Sequence, residues 1–309
     1  MNTNNPKISV AVITYNQEAL IGRALDSLLC QKDFVYEIIV SDDCSKDKTW
    51  EVLLNYQREY PTIIKPFRNE VNLGIFGNVE QTWSKVTGDI IFLLAGDDIF
   101  CDKIFENTYE LVSKNQIDFK NDAFLVFFDF MVKSINGEER VFSNSLINKH
   151  NSLSLKIRNL IYNRSLGMSF PVLKKHFSVD KEIGITAEGL IDIQAHLFSD
   201  KAYYMPYVGS VYYSDIGIST RLNRRDHIIS YIKYYDVLIK MLGDAKRLTK
   251  QDLVWIKYLK SKFVFQISPS FINLFRYFIG MIKNTKLNYG FKFLKREYRT
   301  FVLSILRIK

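Results

Sequence analysis

An α/β fold built on a mostly parallel sheet is what this sequence predicts, and three observations predict it. Short apolar runs alternate with segments of helical periodicity over about the first hundred residues. Two of those runs lead closely into adjacent carboxylates, Asp42-Asp43 after Ile38-Ile39-Val40-Ser41 and Asp97-Asp98 after Ile90-Ile91-Phe92-Leu93-Leu94. A hydrophobic fraction of 47% over 309 residues suffices for one large domain plus an appendage.

The elements follow in order. Ile8–Thr14 (ISVAVIT) reads as a first buried strand. Leu20, Ile21, Ala24, Leu25, Leu28 and Leu29 recur at helical spacing. Glu37–Ser41 is a second strand, ending at the first acidic pair. Ser45 to Asp47 offers N-caps for a helix stopped by Pro61. Thr62–Phe67 is a weak third strand, Phe76–Val86 a helix and Asp89–Leu94 a fourth strand ending at the second pair. Beyond it, Ile104–Lys114 reads as a helix, Ala123–Val132 as an apolar strand, Leu153–Ile161 and Ile185–Phe198 as helices, and Tyr203–Tyr213 as an aromatic strand.

Composition excludes several classes. Cys30, Cys44 and Cys101 form no CxxC, and the four histidines are scattered, so neither a disulfide framework nor a zinc site is expected. Met1 to Lys7 is polar and lacks the apolar core of a signal peptide, so a cytoplasmic location is expected. No GxGxxG follows the first strand, which argues against a dinucleotide-dependent oxidoreductase. The net charge of +9 is unevenly placed. Trp255 to Lys309 carries eight Lys and four Arg against Glu297, a net +11, which leaves the rest of the chain at −2. Such asymmetry calls for an anionic partner.

Carboxylates at the carboxyl ends of two parallel strands face the crevice where open α/β sheets bind ligands. Adjacent carboxylates repel, so each pair asks for a cation, a hydroxyl or an amide between them. A divalent metal carrying a nucleoside diphosphate meets that need. The alternative for Asp42-Asp43 is a cap on the following helix, and Asp47 reads as a helix cap.

Four segments resemble the family 2 glycosyltransferases of GT-A nucleotide-diphospho-sugar transferase fold. They are Thr14-Tyr15-Asn16-Gln17-Glu18, Ser41-Asp42-Asp43-Cys44-Ser45-Lys46-Asp47-Lys48-Thr49, Asn69 to Asn78 (NEVNLGIFGN), and Gly88-Asp89 followed by LLAGDD. The resemblance implies donor-binding roles for Thr14, Tyr15, Asn16, Glu18, Asp42, Asp43, Asn72, Gly74, Asn78 and Asp97. It also implies a Mg²⁺ or Mn²⁺ ligand in Asp98. The sequence departs from the family's Asp-x-Asp-Asp at Ala95, so metal binding leans on Asp98 and the diphosphate.

An inverting transfer needs a carboxylate to take the acceptor hydroxyl's proton. The family often supplies it from a Glu-Asp pair opening a helix. Here that stretch is Thr186-Ala187-Glu188-Gly189-Leu190-Ile191-Asp192, with Glu188 the first candidate and Asp192 the second.

The expected organisation is a catalytic domain over 1–240 and a basic helical region over 241–309. The apolar stretch Phe263–Ile282 is interrupted by Gln266, Pro269, Asn273 and Arg276, too often for a transmembrane helix. A basic, aromatic-rich segment fits an anionic membrane surface; no nucleic-acid motif accompanies the charge. The resemblance thus implies an enzyme moving a hexose or N-acetylhexosamine from a UDP-sugar to a polyprenyl-diphosphate-linked acceptor. It would sit at the inner face of the plasma membrane, in O-antigen or capsule synthesis. The competing reading is a non-catalytic relative that binds a nucleotide sugar or tethers partners at the membrane.

Overall fold

Parallel strands covered on both faces read as unbroken apolar runs, and that is how this chain begins. In the computed structural model, which describes residues 5–148, 150–158, 161, 164, 166–177, 188–216 and 224–284, these runs form a parallel sheet. Strands β1 (Ile8–Thr14), β2 (Glu37–Asp42), β3 (Ile64–Arg68) and β4 (Ile90–Ala95) pair in the order β3-β2-β1-β4. Every residue of β2 is buried. Helix α1 (Ile21–Leu29) lays Ile21, Ala24, Leu25 and Leu28 on the sheet, all fully buried, as their three- and four-residue spacing requires. Helices α2 (Thr49–Glu59) and α3 (Gly74–Lys85) supply the other crossovers.

The order of these four strands places the site. The chain moves outward from β1 through β2 to β3, then returns to the other flank of β1 as β4. The reversal puts a topological switch point between β1 and β4, where opposed crossovers leave a crevice at the carboxyl edge. Register sets Thr14 opposite Asp42 and Ile13 opposite Ala95, so the two acidic pairs emerge on either side of β1.

The sheet continues beyond the parallel half. It runs through β8 (Leu166–Ser169), β6 (Phe124–Lys133), β9 (Lys201–Tyr213) and β5 (Ile99–Phe100), with β7 (Glu139–Phe142) also on β6. β8 is antiparallel to both β4 and β6, and β6 and β9 are parallel with a bulge around Asp129. Phe92, Phe100, Phe105 and Phe128 pack edge to face or tilted beneath this part, next to α4 (Ile104–Lys114). The short strands β5, β7 and β8 and the short helix α6 (Phe170–Leu173) add to the elements expected from sequence. The expected helix over Leu153–Ile161 is α5 (Ser152–Ile157), and that over Ile185–Phe198 is α7 (Glu188–Phe198).

The chain divides into two compact units, residues 1–181 with 191–221, and residues 182–190 with 222–309. The second contains α8 (Arg224–Asp244), α9 (Lys250–Ile267) and α10 (Phe271–Asn284). Residue 240, the expected boundary, lies inside α8. The expected apolar stretch Phe263–Ile282 is parted by Ser268-Pro269-Ser270 between α9 and α10. No described helix is long and apolar enough to cross a membrane. The basic run beyond residue 284 lies outside the described residues.

One buried group gives the first unit a pH dependence. His196, on α7, stacks on Phe127 at 5.3 Å, and neither ring nitrogen has a partner among the described residues. Burial, helped by the charge of Lys156, holds its pKa well below the usual histidine value. As pH falls the unfolded chain takes up this proton first. Stability is therefore lost below about pH 6.5, by at most about 1.4 kcal/mol per pH unit. His196→Leu should flatten the decline of melting temperature between about pH 7.5 and 5.5. An unchanged slope in thermal melts would refute this.

Candidate active site

The loops after β1 and β2 are laced together. Asn16, at φ 52°, donates its amide to Ser45 Oγ (2.9 Å) and accepts from the Lys46 amide at Oδ1 (2.7 Å). The Gln17 amide donates to Thr49 Oγ1 (2.8 Å). The Glu18 amide donates to Asp47 Oδ2 (3.1 Å), and Glu18 Oε2 accepts from the Lys48 amide (2.7 Å). Asp47 Oδ1 also takes the amide of Thr49, the first residue of α2, at 3.0 Å; Lys48, not Asp47, occupies the N-cap position, which carries no side-chain cap bond. Asn16 and Glu18 thereby hold the loop that presents half-buried Tyr15.

Asp42 and Asp43, both buried, do different work. Asp42 Oδ1 accepts from the Ser45 amide (3.1 Å) and hydroxyl, and Oδ2 faces Arg68 Nε at 3.1 Å. Burial pushes the Asp42 carboxyl up, against the Ser45 bonds and the Arg68 charge. Asp43 Oδ1 accepts from Asn69 Nδ2 (2.9 Å) and the Leu73 amide (2.8 Å), and Oδ2 has no partner among the described residues. Asp43 is thus held by one oxygen with the other available.

The Asn69–Asn78 segment closes over this end. Asn72 Nδ2 donates to the Asp43 carbonyl (3.2 Å), and Asn72 Oδ1 accepts from the Gly74 amide (3.1 Å). Gly74 sits at φ +71°, where a side chain would be strained. Asn78, buried on α3, accepts from Ser41 Oγ and from Asn69 Nδ2 (3.1 Å), tying α3 to the end of β2. Thr14 donates its hydroxyl to Gln17 Oε1 at 2.7 Å.

The second pair follows a tight turn at the end of β4. The Gly96 amide donates to the Ile13 carbonyl at 2.9 Å, and the Asp98 amide to that of Ala95 at 3.0 Å. A Cβ on Gly96 would lie 2.5 Å from Gln17 Oε1, 2.9 Å from Ile21 Cδ1 and 3.0 Å from Thr14 Oγ1, so a side chain here would displace the groups of the β1 loop and α1 that pack against the end of β4. Asp98 is 6% exposed; its Oδ1 accepts the Tyr213 amide (3.1 Å) and its Oδ2 faces Arg164 Nη1 at 3.8 Å. Asp97 is half-buried. Burial raises its carboxyl, opposed by the Asp97 amide, by Arg164, by a bond from Gln17 and by Arg23.

Two arginines flank this pair. Arg23 Nη2 donates to the Asp97 carbonyl at 2.7 Å and its guanidinium stacks 3.7 Å over Tyr213; the Arg164 guanidinium stacks 3.9 Å over Tyr212. Sequence reasoning missed them, since both approach from about seventy residues away, and nothing local marks either. It also missed Arg68, although parallel register with β3 sets Arg68 opposite Asp42 and gives a usable signal.

A metal can be tested against these groups. Among the described residues no three His, Cys, Asp or Glu side chains converge as an all-protein cage. A hard cation of the Mg²⁺ class asks for less, one or two carboxylates plus phosphate oxygens. Asp98 and Asp97 fit that donor set.

The base candidates stand differently. Asp192 Oδ2 accepts from Lys156 Nζ at 2.9 Å, and both side chains are mostly buried. Glu188 is the first residue of α7, and its side chain lies outside the described residues, as do Thr186 and Ala187.

The sequence profile described as "Glycosyl transferase family 2" matches residues 9–174, more than half of the chain. A Campylobacter jejuni protein named GalNAc(5)-diNAcBac-PP-undecaprenol beta-1,3-glucosyltransferase is 25% identical over 92% of this chain and 86% of its own. Mycobacterium tuberculosis proteins of uncharacterised role are 34% identical over 98 residues; the chain spans 28% of their length. Among solved structures, Staphylococcus aureus TarS 1-349 superposes with a TM-score of 0.64 at 17% identity, over 89% of this chain and 79% of TarS 1-349. That likeness shows a shared fold.

Proposed function

The chain belongs to glycosyl transferase family 2, and from that premise we propose that it is an inverting glycosyltransferase. It moves a hexose or N-acetylhexosamine from a UDP-sugar to a polyprenyl-diphosphate-linked saccharide. One observation carries the reading: two carboxylate pairs leave β2 and β4 on either side of β1, at the switch-point crevice of a GT-A sheet. TarS, which shares the fold, has been solved with UDP-GlcNAc at a TM-score of 0.62. The Campylobacter relative, named for an undecaprenyl-diphosphate-linked acceptor, matches along nearly the whole chain and supports the acceptor class.

In this proposal Tyr15 lines the base pocket, and Asp43 Oδ2 accepts from the uracil imide or a ribose hydroxyl. Asp42 holds the loop through Ser45 and Arg68, and Asp97 meets the ribose. Asp98 holds Mg²⁺ or Mn²⁺, which when bound offsets the charge gained by the leaving diphosphate. Glu188 takes the acceptor proton as the acceptor oxygen attacks the anomeric carbon, and the bonding pair of the cleaved bond departs on the β-phosphate. The region beyond residue 240 attaches the enzyme to the inner face of the plasma membrane, in O-antigen or capsule synthesis.

A panel of UDP- and GDP-sugars assayed for hydrolysis and transfer, with and without Mn²⁺, tests the reading. Turnover with one UDP-sugar, enhanced by the metal, is expected. Binding without turnover across the panel, with lipid-linked acceptor present, would sink it.

The two carboxylates of the first pair should separate in calorimetric titration with UDP. Asp43→Asn keeps its bonds from Asn69 and Leu73 at Oδ1 but loses the charge, and should weaken UDP by about 10- to 150-fold, as for loss of one charged hydrogen bond. Asp42→Asn should cost stability more than affinity, because its carboxylate is spent on Ser45 and Arg68. Equal affinity of the Asp43→Asn variant and the parent would remove Asp43 from the donor site.

A further inference from the structure

We propose that the groove between α9 and α10 is a docking site for an anionic phospholipid of the bilayer surface. The two helices cross at Gly280, where a Cβ would lie 3.2 Å from Tyr258 Cβ, and beside the crossing opens a cavity of about 350 Å³. Its walls are apolar, from Val254, Phe275 and Ile279, and Lys257, Arg276 and Lys283 stand around it. None of these three cations has an acidic partner among the described residues, whereas Lys260, on the same helix as Lys257, pairs with Asp236 of α8. Three like charges around one apolar groove repel one another until an anion enters.

The helix itself points the same way. In α10, Tyr277 and Met281 are buried on one side. Ile272, Phe275, Arg276, Ile279 and Lys283, spaced three and four apart, share the opposite face. Ile272 and Phe275 are 63% and 57% exposed. A helix that buries one face in its own unit and offers large apolar side chains between cations on the other has the composition of an interfacial helix. Phosphate matches the three cations, and an acyl chain matches Phe275, Ile279 and Val254. The cavity takes a headgroup and the start of a chain, not a whole lipid. The charge complementarity commits the site to an anionic amphiphile and not to an apolar peptide.

This inference deepens the membrane part of the proposed function and is tested on the full chain. F275W places a fluorophore in the groove, read against the parent's own three tryptophans. Vesicles containing brominated phosphatidylglycerol should quench the added emission; brominated phosphatidylcholine alone should not. In the F275W background, K257E/R276E/K283E should lower vesicle affinity by more than about a hundredfold at low salt, since the loss of three cations at about 1 kcal/mol each already accounts for about a hundredfold. The neutral set K257Q/R276Q/K283Q, which avoids new repulsion within the unit, should fall between. K114E/K120E, on the first unit, should bind as the parent does.

Equal quenching by both lipids, or affinity indifferent to the three charges, would overturn the site. So would vesicle flotation without quenching, which would assign attachment to residues 285–309. Emission that is blue-shifted in buffer and unchanged by vesicles would overturn it too, with that C-terminal segment as the occupant. UDP-sugar hydrolysis by the same variants separates the two readings. Retained hydrolysis with failed docking leaves the transferase reading intact, and absent hydrolysis with successful docking leaves the groove intact.

Discussion

The Asp98→Asn variant is expected to fold normally and to lose up to about a thousandfold in sugar transfer, the upper range for removing one preorganised charge-stabilising group. Asn retains an acceptor for the Tyr213 amide at 3.1 Å, so the turn between β4 and β5 keeps its shape. What it loses is the charge. The ion pair with Arg164 at 3.8 Å, a partner 39% exposed, is worth at most about 1 kcal/mol of stability. The effect on turnover is therefore far larger than the effect on melting. UDP affinity supplies the second readout: with Mn²⁺ present it should fall, and with chelator present it should match the parent. Turnover within tenfold of the parent at saturating donor and metal would remove Asp98 from the metal role.

That prediction rests on the part of the chain most legible in its sequence. Strands β1, β2 and β4 are buried through both faces, so their runs admit no other reading, and carboxylates just past their ends fall at the sheet's carboxyl edge by topology alone. β8 was not legible. Its four residues Leu166-Gly167-Met168-Ser169 carry no pattern of their own and become a strand because β4 and β6 bracket them. The arginines around Asp97 and Asp98 were hidden for the same reason: Arg23 and Arg164 meet them through tertiary packing on Tyr213 and Tyr212.

The basic tail shows the opposite limit. Its charge was legible as a total, but which aromatics face solvent was not. Trp255 and Tyr258 pack inside the second unit, so the segment expected to bind membranes begins within a core. Truncation from Trp255 would remove Trp255, Ile256, Tyr258, Phe265, Tyr277 and Met281 from that core. Among the described residues of that segment, α10 leaves Ile272 and Phe275 outward, because burial of Tyr277 and Met281 fixes its inner face.

Glu188→Gln is expected to bind UDP like the parent and to abolish transfer, while Asp192→Asn is expected to lose stability first. The two differ in what they already do. Asp192 is committed to Lys156 at 2.9 Å in a mostly buried pair, and a base so engaged must give up a strong bond before it accepts a proton. Its neutralisation leaves the Lys156 ammonium without its partner, at a cost of about 1–3 kcal/mol, next to His196, which burial already keeps uncharged. Glu188, the first residue of α7, is the base of the proposed function because it stands at the helix opening where the family resemblance puts that carboxylate. The assay is transfer to a lipid-linked acceptor as a function of pH, alongside calorimetry with UDP and a melting curve for each variant. The parent should show an acid limb from the base's own titration. Glu188→Gln should erase that limb along with the activity, and Asp192→Asn should keep it at a reduced melting temperature. If Glu188→Gln turns over normally while Asp192→Asn binds UDP, melts like the parent and is inactive, the base is Asp192 and the Lys156 pair opens in the working enzyme. If both remain active, the acceptor proton leaves through neither side chain.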